Sequence, residues 1–194
     1  GTRRVRQSPG YGFDMAFPGS GGSITVDEVR LFNGSGQRYD WKIVGKREMF
    51  IPYNTYRLHA ANLKYADLLT PGHINPEAMR YERHRVWELE GTLKPGYRHL
   101  YGKRKLYIDE DTWFPMLADN YDNRGELWRT SMVNYFYAYE TQVPQAGVGL
   151  YHDLNAGSYL AFNLINEQRN GYMLNKGGFS PRNFGPEAAR RAGQ

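Results

Sequence analysis

Histidines and nearby carboxylates are the residues of this sequence best suited to acid–base or metal chemistry. Glu88 follows His84 after four positions, and His73, His99 and His152 offer further imidazoles. No HExxH or HxH pattern connects them, and His84 and Glu88 fall on the same polar side of a predicted strand. This arrangement favours a solvated polar surface over a metal-ligand set or a general base. We therefore predict no metal site and no catalytic residues.

A cluster of carboxylates offers a second kind of chemistry, calcium binding. Asp109, Glu110 and Asp111 are consecutive, and Asp119 and Asp122 follow closely. Oxygen ligands in a loop suit Ca²⁺, but the spacing differs from that of an EF-hand loop and lacks its central glycine. We predict that Asp109–Asp111 is the solvated tip of a hairpin.

Motifs for nucleophilic, phosphate-binding and nucleic-acid chemistry are weak. The chain has no cysteine and no G-x-S-x-G sequence, and Gly19–Gly22 lacks a flanking strand and helix of the phosphate-binding type. The basic and aromatic run Tyr97–Lys105 has the composition of a single-strand binder. However, the net charge of +5 is spread along the chain. We predict a basic outer strand face, no nucleic-acid partner and no cofactor.

Length and hydropathy indicate one domain spanning residues 1–194. No apolar stretch approaches the roughly 20 residues of a membrane-spanning helix. The start, Gly1–Arg6, has no apolar core after its basic residues and no initiating methionine, so it is not a signal peptide. We expect a processed form or a fragment whose targeting segment has been removed.

Glycine, proline and asparagine divide the chain into short extended segments. The capping-box pattern Thr25–Glu28 predicts a helix running to about Phe32, and a glycine predicts a bulge near position 45 of an extended segment. The predicted strands are Thr2–Gln7, Tyr39–Ile51, Arg83–Lys94, Arg98–Ile108, Trp113–Tyr121, Glu126–Tyr139, Tyr159–Glu167 and Tyr172–Asn175. Short helices are predicted within Ala61–Leu69, at Pro76 and over Pro186–Arg191, and mobile loops at Asn54–Arg80 and Pro144–Asn155.

Sequential strands joined by tight turns predict an antiparallel meander. The fold class is therefore mainly β (α+β): a curved antiparallel sheet, or half-open β-barrel, with two or three short helices. Such a sheet has a natural cavity on its concave face.

Aromatic residues on the predicted strands are candidates for the lining of that cavity. The sequence contains 16 Tyr, 9 Phe and 4 Trp, and tyrosine suits surfaces that are apolar on one side and wet on the other. The alternative is that these side chains simply fill the core. The predicted hydrophobic groove consists of Trp41, Trp87, Leu89, Tyr107, Trp113, Phe114, Trp128, Tyr135 and Phe136.

Several stretches resemble the bacterial domain of unknown function 1329 family, whose members are often labelled outer-membrane lipoprotein-sorting-like. The resemblance covers nearly the whole chain. It is carried by Arg83–Trp87, Gly91–His99, Lys103–Arg104, Tyr107–Trp113, Phe32–Gly34, Tyr39–Lys42, Pro52–Asn54, Tyr56–Leu58, Ala118–Asp122 and Gly125–Arg129.

The resemblance implies a fold like that of the LolA and LolB carriers, a half-open barrel with helices on its concave side. It also implies a Gram-negative protein of the periplasm, or of the periplasmic face of the outer membrane, whose signal peptide has been removed. Complete members are about twice as long, so the resemblance implies the C-terminal part of a larger half-barrel, ending near Phe179–Pro181. It supplies no catalytic residues.

Three functions follow as hypotheses. The first is a non-enzymatic periplasmic binding or carrier protein for a lipid or other hydrophobic ligand, linked to outer-membrane trafficking or export, with peripheral membrane contact. The second is an interaction module that docks on an outer-membrane protein or efflux-type transporter. The third is a hydrolase or metal-dependent enzyme that uses His84, Glu88 and His99.

Overall fold

A computed structural model describes residues 12–169 and 180–192. The predicted strands Thr2–Gln7 and Tyr172–Asn175 lie outside these residues. The elements are β1 (Tyr39–Pro52), α1 (Tyr65–Leu68), β2 (Leu69–Thr70), β3 (His73–Ile74), β4 (Tyr81–Leu93), β5 (Lys103–Asp109), β6 (Pro115–Tyr121), β7 (Leu127–Ala138), β8 (Val143–Asp153), β9 (Ser158–Phe162) and α2 (Pro186–Ala192). Single 3₁₀ turns cover Val26–Glu28, Gly36–Arg38, Tyr56–His59, Pro76–Ala78 and Pro181–Phe184.

One large sheet dominates the molecule. Its seven strands follow the order β1-β4-β5-β6-β7-β8-β9, and every neighbouring pair is antiparallel. The sheet is not closed: β1 and β9 are its edges, although β1 also lies against β6 and β7. This confirms the predicted fold class. Among the described residues, no helix is long and apolar enough to cross a membrane.

A single row of ladder partners shows how the sheet presents side chains on one face. Partners on neighbouring strands point to the same side. The row runs across six strands through Trp41, Gly91, Arg104, Asn120, Arg129 and Asp153. Its middle members are polar or charged, yet Arg104, Asn120 and Arg129 are buried. This face must therefore be covered by a segment with complementary charge.

The N-terminal segment, residues 12–34, supplies that cover. Its Ile24 and Leu31 are fully buried in the main core, and Phe17 packs edge-on against Phe162 of β9 with ring centroids 5.6 Å apart. The backbone N–H of Arg30 donates to the hydroxyl of Tyr151 at 3.1 Å. The segment thus fills the face that carries the polar row.

Glu28 is the central contact between this N-terminal segment and the sheet. Its carboxylate accepts hydrogen bonds from the Tyr101 hydroxyl (2.8 Å), Asn120 Nδ2 (3.0 Å) and Ser131 Oγ (3.2 Å). The backbone N–H of Thr25 donates to it as well, at 3.2 Å. Burial raises the pKa of Glu28, while the hydrogen bonds from Tyr101 and Thr25 oppose that rise. Four donors converging on one buried group make the carboxylate well satisfied.

Asp27 makes the second ionic contact. It accepts from Arg104 Nη2 at 2.9 Å and from the Thr25 hydroxyl at 2.7 Å, and it lies 3.2 Å from His99 Nε2. Burial would raise the pKa of Asp27, but His99 and Arg104 outweigh it and hold the pKa below the usual value. Arg129 continues the network, donating to the Gly22 carbonyl and the Tyr101 hydroxyl, both at 2.8 Å.

A second, smaller core forms around the connection between β1 and β4. Leu58, Leu68 and Ile74 of this connection pack with Val148 and Leu150 of β8. The pairing of β2 with β3 and the short helix α1 keep the connection compact. The segment expected to be a mobile loop is therefore attached to the sheet along much of its length.

Several local predictions are confirmed. The register of β1 and β4 shifts between Ile43 and Gly45, where a bulge was predicted. A 3₁₀ turn begins at Pro76, and α2 begins at Pro186.

Two local predictions are wrong. The helix expected to run from Thr25 to Phe32 is a single 3₁₀ turn, because Arg30 and Leu31 adopt positive φ of 56° and 75°. The loop expected at Pro144–Asn155 is the strand β8. Its Gly149 does not mark a turn. A Cβ there would lie 2.8 Å from the Tyr151 ring, so the glycine makes room for an aromatic side chain on the sheet.

We predict that Gly91→Ala destabilises the domain by about 1–3 kcal/mol, because the new methyl group would overpack the core. The Trp41 ring lies over Gly91, and an added Cβ would approach its Cζ3 to 2.6 Å. Gly45→Ala on the paired strand is the matched control, since no atom lies within 4 Å of its added Cβ. Urea unfolding checks both; equal effects would contradict the proposed packing.

We also predict that Glu28→Gln lowers the free energy of unfolding by about 2–4 kcal/mol, because an amide group would face donors that need an acceptor. Glu48→Gln is the control, since Glu48 is exposed and forms an ion pair with exposed Arg83. Its effect should stay within about 0.5 kcal/mol. Chemical denaturation of both variants at neutral pH is the measurement. If Glu28→Gln leaves the free energy of unfolding unchanged, the network is not needed for stability.

Candidate ligand-binding cleft

An aromatic cleft lies where the segment after β1 meets the end of β7 and the start of β8. Its volume is about 210 Å³. The residues around it are Tyr53, Asn54, Thr112, Tyr135, Phe136, Tyr137, Tyr139 and Pro144. None of these side chains is an acid, a base or an imidazole, so the cleft offers an apolar surface with hydroxyl and amide groups at its borders.

Backbone contacts hold the two sides of the cleft together. Pro52 ends β1, and the chain then turns so that both the N–H and the hydroxyl of Thr55 donate to the carbonyl of Tyr135, each at 3.1 Å. The hydroxyl of Tyr56 donates to the carbonyl of Tyr137 at 2.9 Å. These bonds attach the segment after β1 to β7, a strand four positions away in the sheet.

Ring contacts order the aromatic side chains. Phe114 stacks on Tyr135 with centroids 5.1 Å apart and an interplanar angle of 7°. Tyr139 stacks near Tyr56 at 6.2 Å and meets Tyr137 edge-on at 5.2 Å. Aromatic pairs in these geometries add to the stability that burial alone provides. The rings at the cleft thus form two packed groups, Phe114 with Tyr135 and Tyr139 with Tyr56 and Tyr137.

Burial keeps the lining uncharged at neutral pH. It raises the pKa of Tyr53 to about 12, with the nearby carboxylates of Asp109 and Asp111 adding to the rise. It also raises the pKa of Tyr135 to about 12. Both phenols therefore stay protonated and offer hydroxyl groups, which favours an uncharged or apolar ligand group.

His59 packs against the lining of the cleft. Its ring lies 4.8 Å from that of Phe136. Nε2 accepts from the backbone N–H of Val148 at 3.1 Å, which leaves Nδ1–H to donate to the carbonyl of Thr55 at 2.8 Å. This neutral tautomer joins the turn after β1 to β8. Burial lowers the pKa of His59 below its usual value.

A protein family of unknown function, DUF1329, matches residues 1–190 of this sequence. The chain belongs to the DUF1329 family. The uncharacterized protein PA3922 of Pseudomonas aeruginosa is 44% identical over 193 residues, which is 100% of this chain and 42% of that protein. The chain therefore spans less than half the length of this curated relative.

Two solved structures are similar in fold to this DUF1329 chain. A DUF1329 family protein from Desulfovibrio piger is 16% identical with a TM-score of 0.51, and the match covers 95% of this chain and 60% of that one. A domain named for outer membrane lipoprotein sorting, from Vibrio parahaemolyticus, is 13% identical with a TM-score of 0.49 over 92% and 58% of the two chains.

Three of the nine predicted groove residues come together at the cleft of this DUF1329 chain. Tyr135 and Phe136 line it, and Phe114 stacks on Tyr135. Their role in ligand binding stays a prediction.

The other six predicted residues lie elsewhere. Trp87 and Trp113 stack at 6.5 Å on the surface, where Trp113 is 68% exposed. Trp41 packs against Phe32 of the N-terminal segment, and Leu89 lies beside the main core. The Tyr107 hydroxyl donates to Asp119, and Trp128 Nε1 donates to Asp153.

The predicted groove did not include Tyr53, Tyr56, Tyr137 or Tyr139, which lie at the cleft. The signal available was the density of aromatic residues at the end of one strand, Tyr135 to Tyr139, and directly after Pro52. Alternation along a single strand selects one face. The cleft instead forms where a strand end meets a distant turn, so its members share no periodicity.

The residues of the enzyme hypothesis are not brought together. His99 lies beside Asp27 in the buried network, whereas Glu88 pairs with Lys105 and Arg47. His84 lies instead next to Asp109 and Asp111, and this is the group within the described residues close enough to hold a metal ion. Asp109 is fully buried, so the prediction of a solvated hairpin tip is wrong for that residue.

We predict that the domain loses stability as the pH falls below about 6.5, the usual pKa of histidine. A lowered pKa means that folded His59 binds a proton less readily than unfolded His59. Its contribution is therefore present above the unfolded pKa and is lost as the pH falls towards the folded pKa. Half-buried His152, whose pKa is also lowered by burial, adds to this effect.

Unfolding free energies measured from pH 7.5 to pH 5.5 check this prediction. His59→Gln should reduce the slope, because the protonation difference at that site disappears. A wild-type profile that is flat over this range would contradict the assignment of His59 as a buried neutral imidazole.

Proposed function

We propose that this DUF1329 chain is a non-enzymatic binding protein of the bacterial cell envelope, and that the aromatic cleft takes the apolar part of a lipid or other hydrophobic ligand. The observation that carries the proposal is the lining of the cleft: aromatic rings, no charged side chain, and phenols that stay protonated. Each buried methylene contributes about 0.8 kcal/mol. Six of them would contribute about 5 kcal/mol before the entropic cost of binding.

The size of the cleft supports partial enclosure of the ligand. Pockets that bury a drug-sized molecule are typically about 300–1,000 Å³, and this cleft is smaller, at about 210 Å³. One acyl segment or one ring system would fit, with the rest of the ligand outside. The proposed ligand is therefore amphipathic.

The filled sheet face is a second reason to place the ligand in the cleft. The polar row of Arg104, Asn120 and Arg129 is covered by the N-terminal segment through Asp27 and Glu28. A hydrophobic ligand on that face would displace the N-terminal segment and bury Arg104 and Arg129 without their carboxylate partners, which is costly. Binding at the cleft needs no such rearrangement.

Location and partners are part of the same proposal. The periplasm or the periplasmic face of the outer membrane is the expected place, with peripheral membrane contact and an outer-membrane or efflux-type protein as partner. A docking module is the second candidate function, favoured by the exposure of Tyr139 at 73% beside the cleft. Aromatic residues are enriched in protein interfaces relative to the rest of the protein surface.

Fluorescence titration with 1-N-phenylnaphthylamine, an uncharged apolar probe, tests the cleft. We expect saturable binding that Phe136→Ala weakens at least about fivefold, since part of the apolar contact area is removed. Phe50→Ala is the matched control because Phe50 is an exposed phenylalanine on β1 and is not part of the cleft lining. It should leave the affinity unchanged.

Tyr139→Ala provides a second variant, because this exposed side chain can be removed with little risk to folding. It should also weaken probe binding. If Phe136→Ala and Tyr139→Ala both bind the probe as tightly as the wild type does, the cleft is not the ligand site. If the wild type binds no probe, and a stoichiometric protein partner is retained by the wild type but lost in Tyr139→Ala, the docking module is the better function.

A further inference from the structure

We propose that His84, Asp109 and Asp111 form a binding site for one divalent transition-metal ion of the Zn²⁺ type, at the turn between β5 and β6. One imidazole nitrogen and two carboxylate oxygens lie within 4.8 Å of one another there. The site is separate from the aromatic cleft, and its existence does not depend on the function proposed for the cleft.

Asp109 is the residue whose position most needs a cation. It is fully buried, and its Oδ1 has no hydrogen-bond partner. Buried carboxylate oxygens almost always have a donor or a cation beside them. Oδ1 lies 3.2 Å from His84 Nδ1, so the unpartnered atom points into the cluster.

The local structure fixes this orientation. The other oxygen, Oδ2, accepts hydrogen bonds from the backbone N–H of Thr112 at 3.0 Å and from its hydroxyl at 2.7 Å. Because Thr112 occupies Oδ2, the carboxylate presents Oδ1 towards His84. The backbone N–H of Trp113 also donates to the Asp109 carbonyl, at 2.9 Å, which closes the turn.

Distances between the ligand atoms suit a tetrahedral metal ion. Atoms bound about 2.1 Å from a tetrahedral Zn²⁺ lie roughly 3.4 Å from each other. His84 Nδ1 is 3.2 Å from Asp109 Oδ1 and 3.5 Å from Asp111 Oδ2. The Asp111 side chain is 68% exposed, so it can move to complete the third edge. Three protein ligands leave a fourth position for water or another ligand.

The surroundings of His84 favour metal binding through Nδ1. Tyr53 stacks on its ring with centroids 4.1 Å apart and fixes the plane. On the opposite side, Nε2 lies 3.8 Å from Glu82 Oε2. A carboxylate behind a metal-bound histidine orients the ring and stabilises the N–H on the distal nitrogen. A mixed imidazole and carboxylate set favours Zn²⁺ over Ca²⁺, which prefers oxygen ligands alone.

Isothermal titration of the tag-free, chelator-treated chain with ZnCl₂ tests the site. We expect one Zn²⁺ per chain, with CaCl₂ binding at least about tenfold more weakly. Asp111→Asn should weaken Zn²⁺ binding at least about tenfold, since even indirect support of a metal ligand is typically worth that much. Asp40→Asn is the matched control, because Asp40 is an exposed aspartate paired with Lys94.

NMR of the histidine rings provides a second readout, because the chain has five histidines and only one belongs to the site. Zn²⁺ should shift the His84 ring signals and leave the other four unchanged. The absence of stoichiometric Zn²⁺ binding, or an Asp111→Asn variant that binds Zn²⁺ as tightly as Asp40→Asn, would overturn the proposal. Zn²⁺ shifts confined to other histidines, or tighter binding of Ca²⁺ than of Zn²⁺, would also overturn it.

Discussion

The hydrogen bonds and ion pairs of Asp27 and Glu28 are the interactions on which the arrangement of the molecule depends. Two buried carboxylates on one short turn meet Arg104, Tyr101, Asn120 and Ser131 of the sheet region. Removing one partner from such a network leaves a buried charge uncompensated, which costs far more than an exposed ion pair contributes. The N-terminal segment therefore has one favourable position on the sheet.

This constraint decides where a ligand has room. A half-open sheet is expected to bind in its interior, but here Ile24, Leu31 and Phe17 occupy the face that carries the polar row. The aromatic cleft lies away from that face, at the far end of β1, where the chain crosses to β7 through Thr55 and Tyr56. Charge complementarity thus holds the N-terminal segment on the sheet face, and the aromatic cleft lies at the edge of that arrangement.

The sequence predicted what alternation and turn chemistry determine. The strands β1, β4, β5, β6 and β7, the bulge near Gly45 and the start of α2 at Pro186 follow from local signals. Tertiary contacts decided the rest. The 3₁₀ turn at Asp27 ends early because the carboxylates of this turn bind residues of the sheet. Strand β8 contains glycines because neighbouring rings occupy the space that a side chain would need. The cleft was not predicted because Tyr53 and Tyr139 are distant in sequence and no strand or helix periodicity relates them.

Two residues of the cleft lining, Tyr53 and Thr112, also contact members of the His84 cluster. Tyr53 lines the cleft, and its ring also stacks on the ring of His84. Thr112 lines the cleft and also holds Asp109 Oδ2. Any contact that fixes His84 and Asp109 therefore also fixes two walls of the cleft. Coupling between sites is reciprocal in free energy, so if a cleft ligand favoured metal binding at His84, the metal ion would favour that ligand by the same factor.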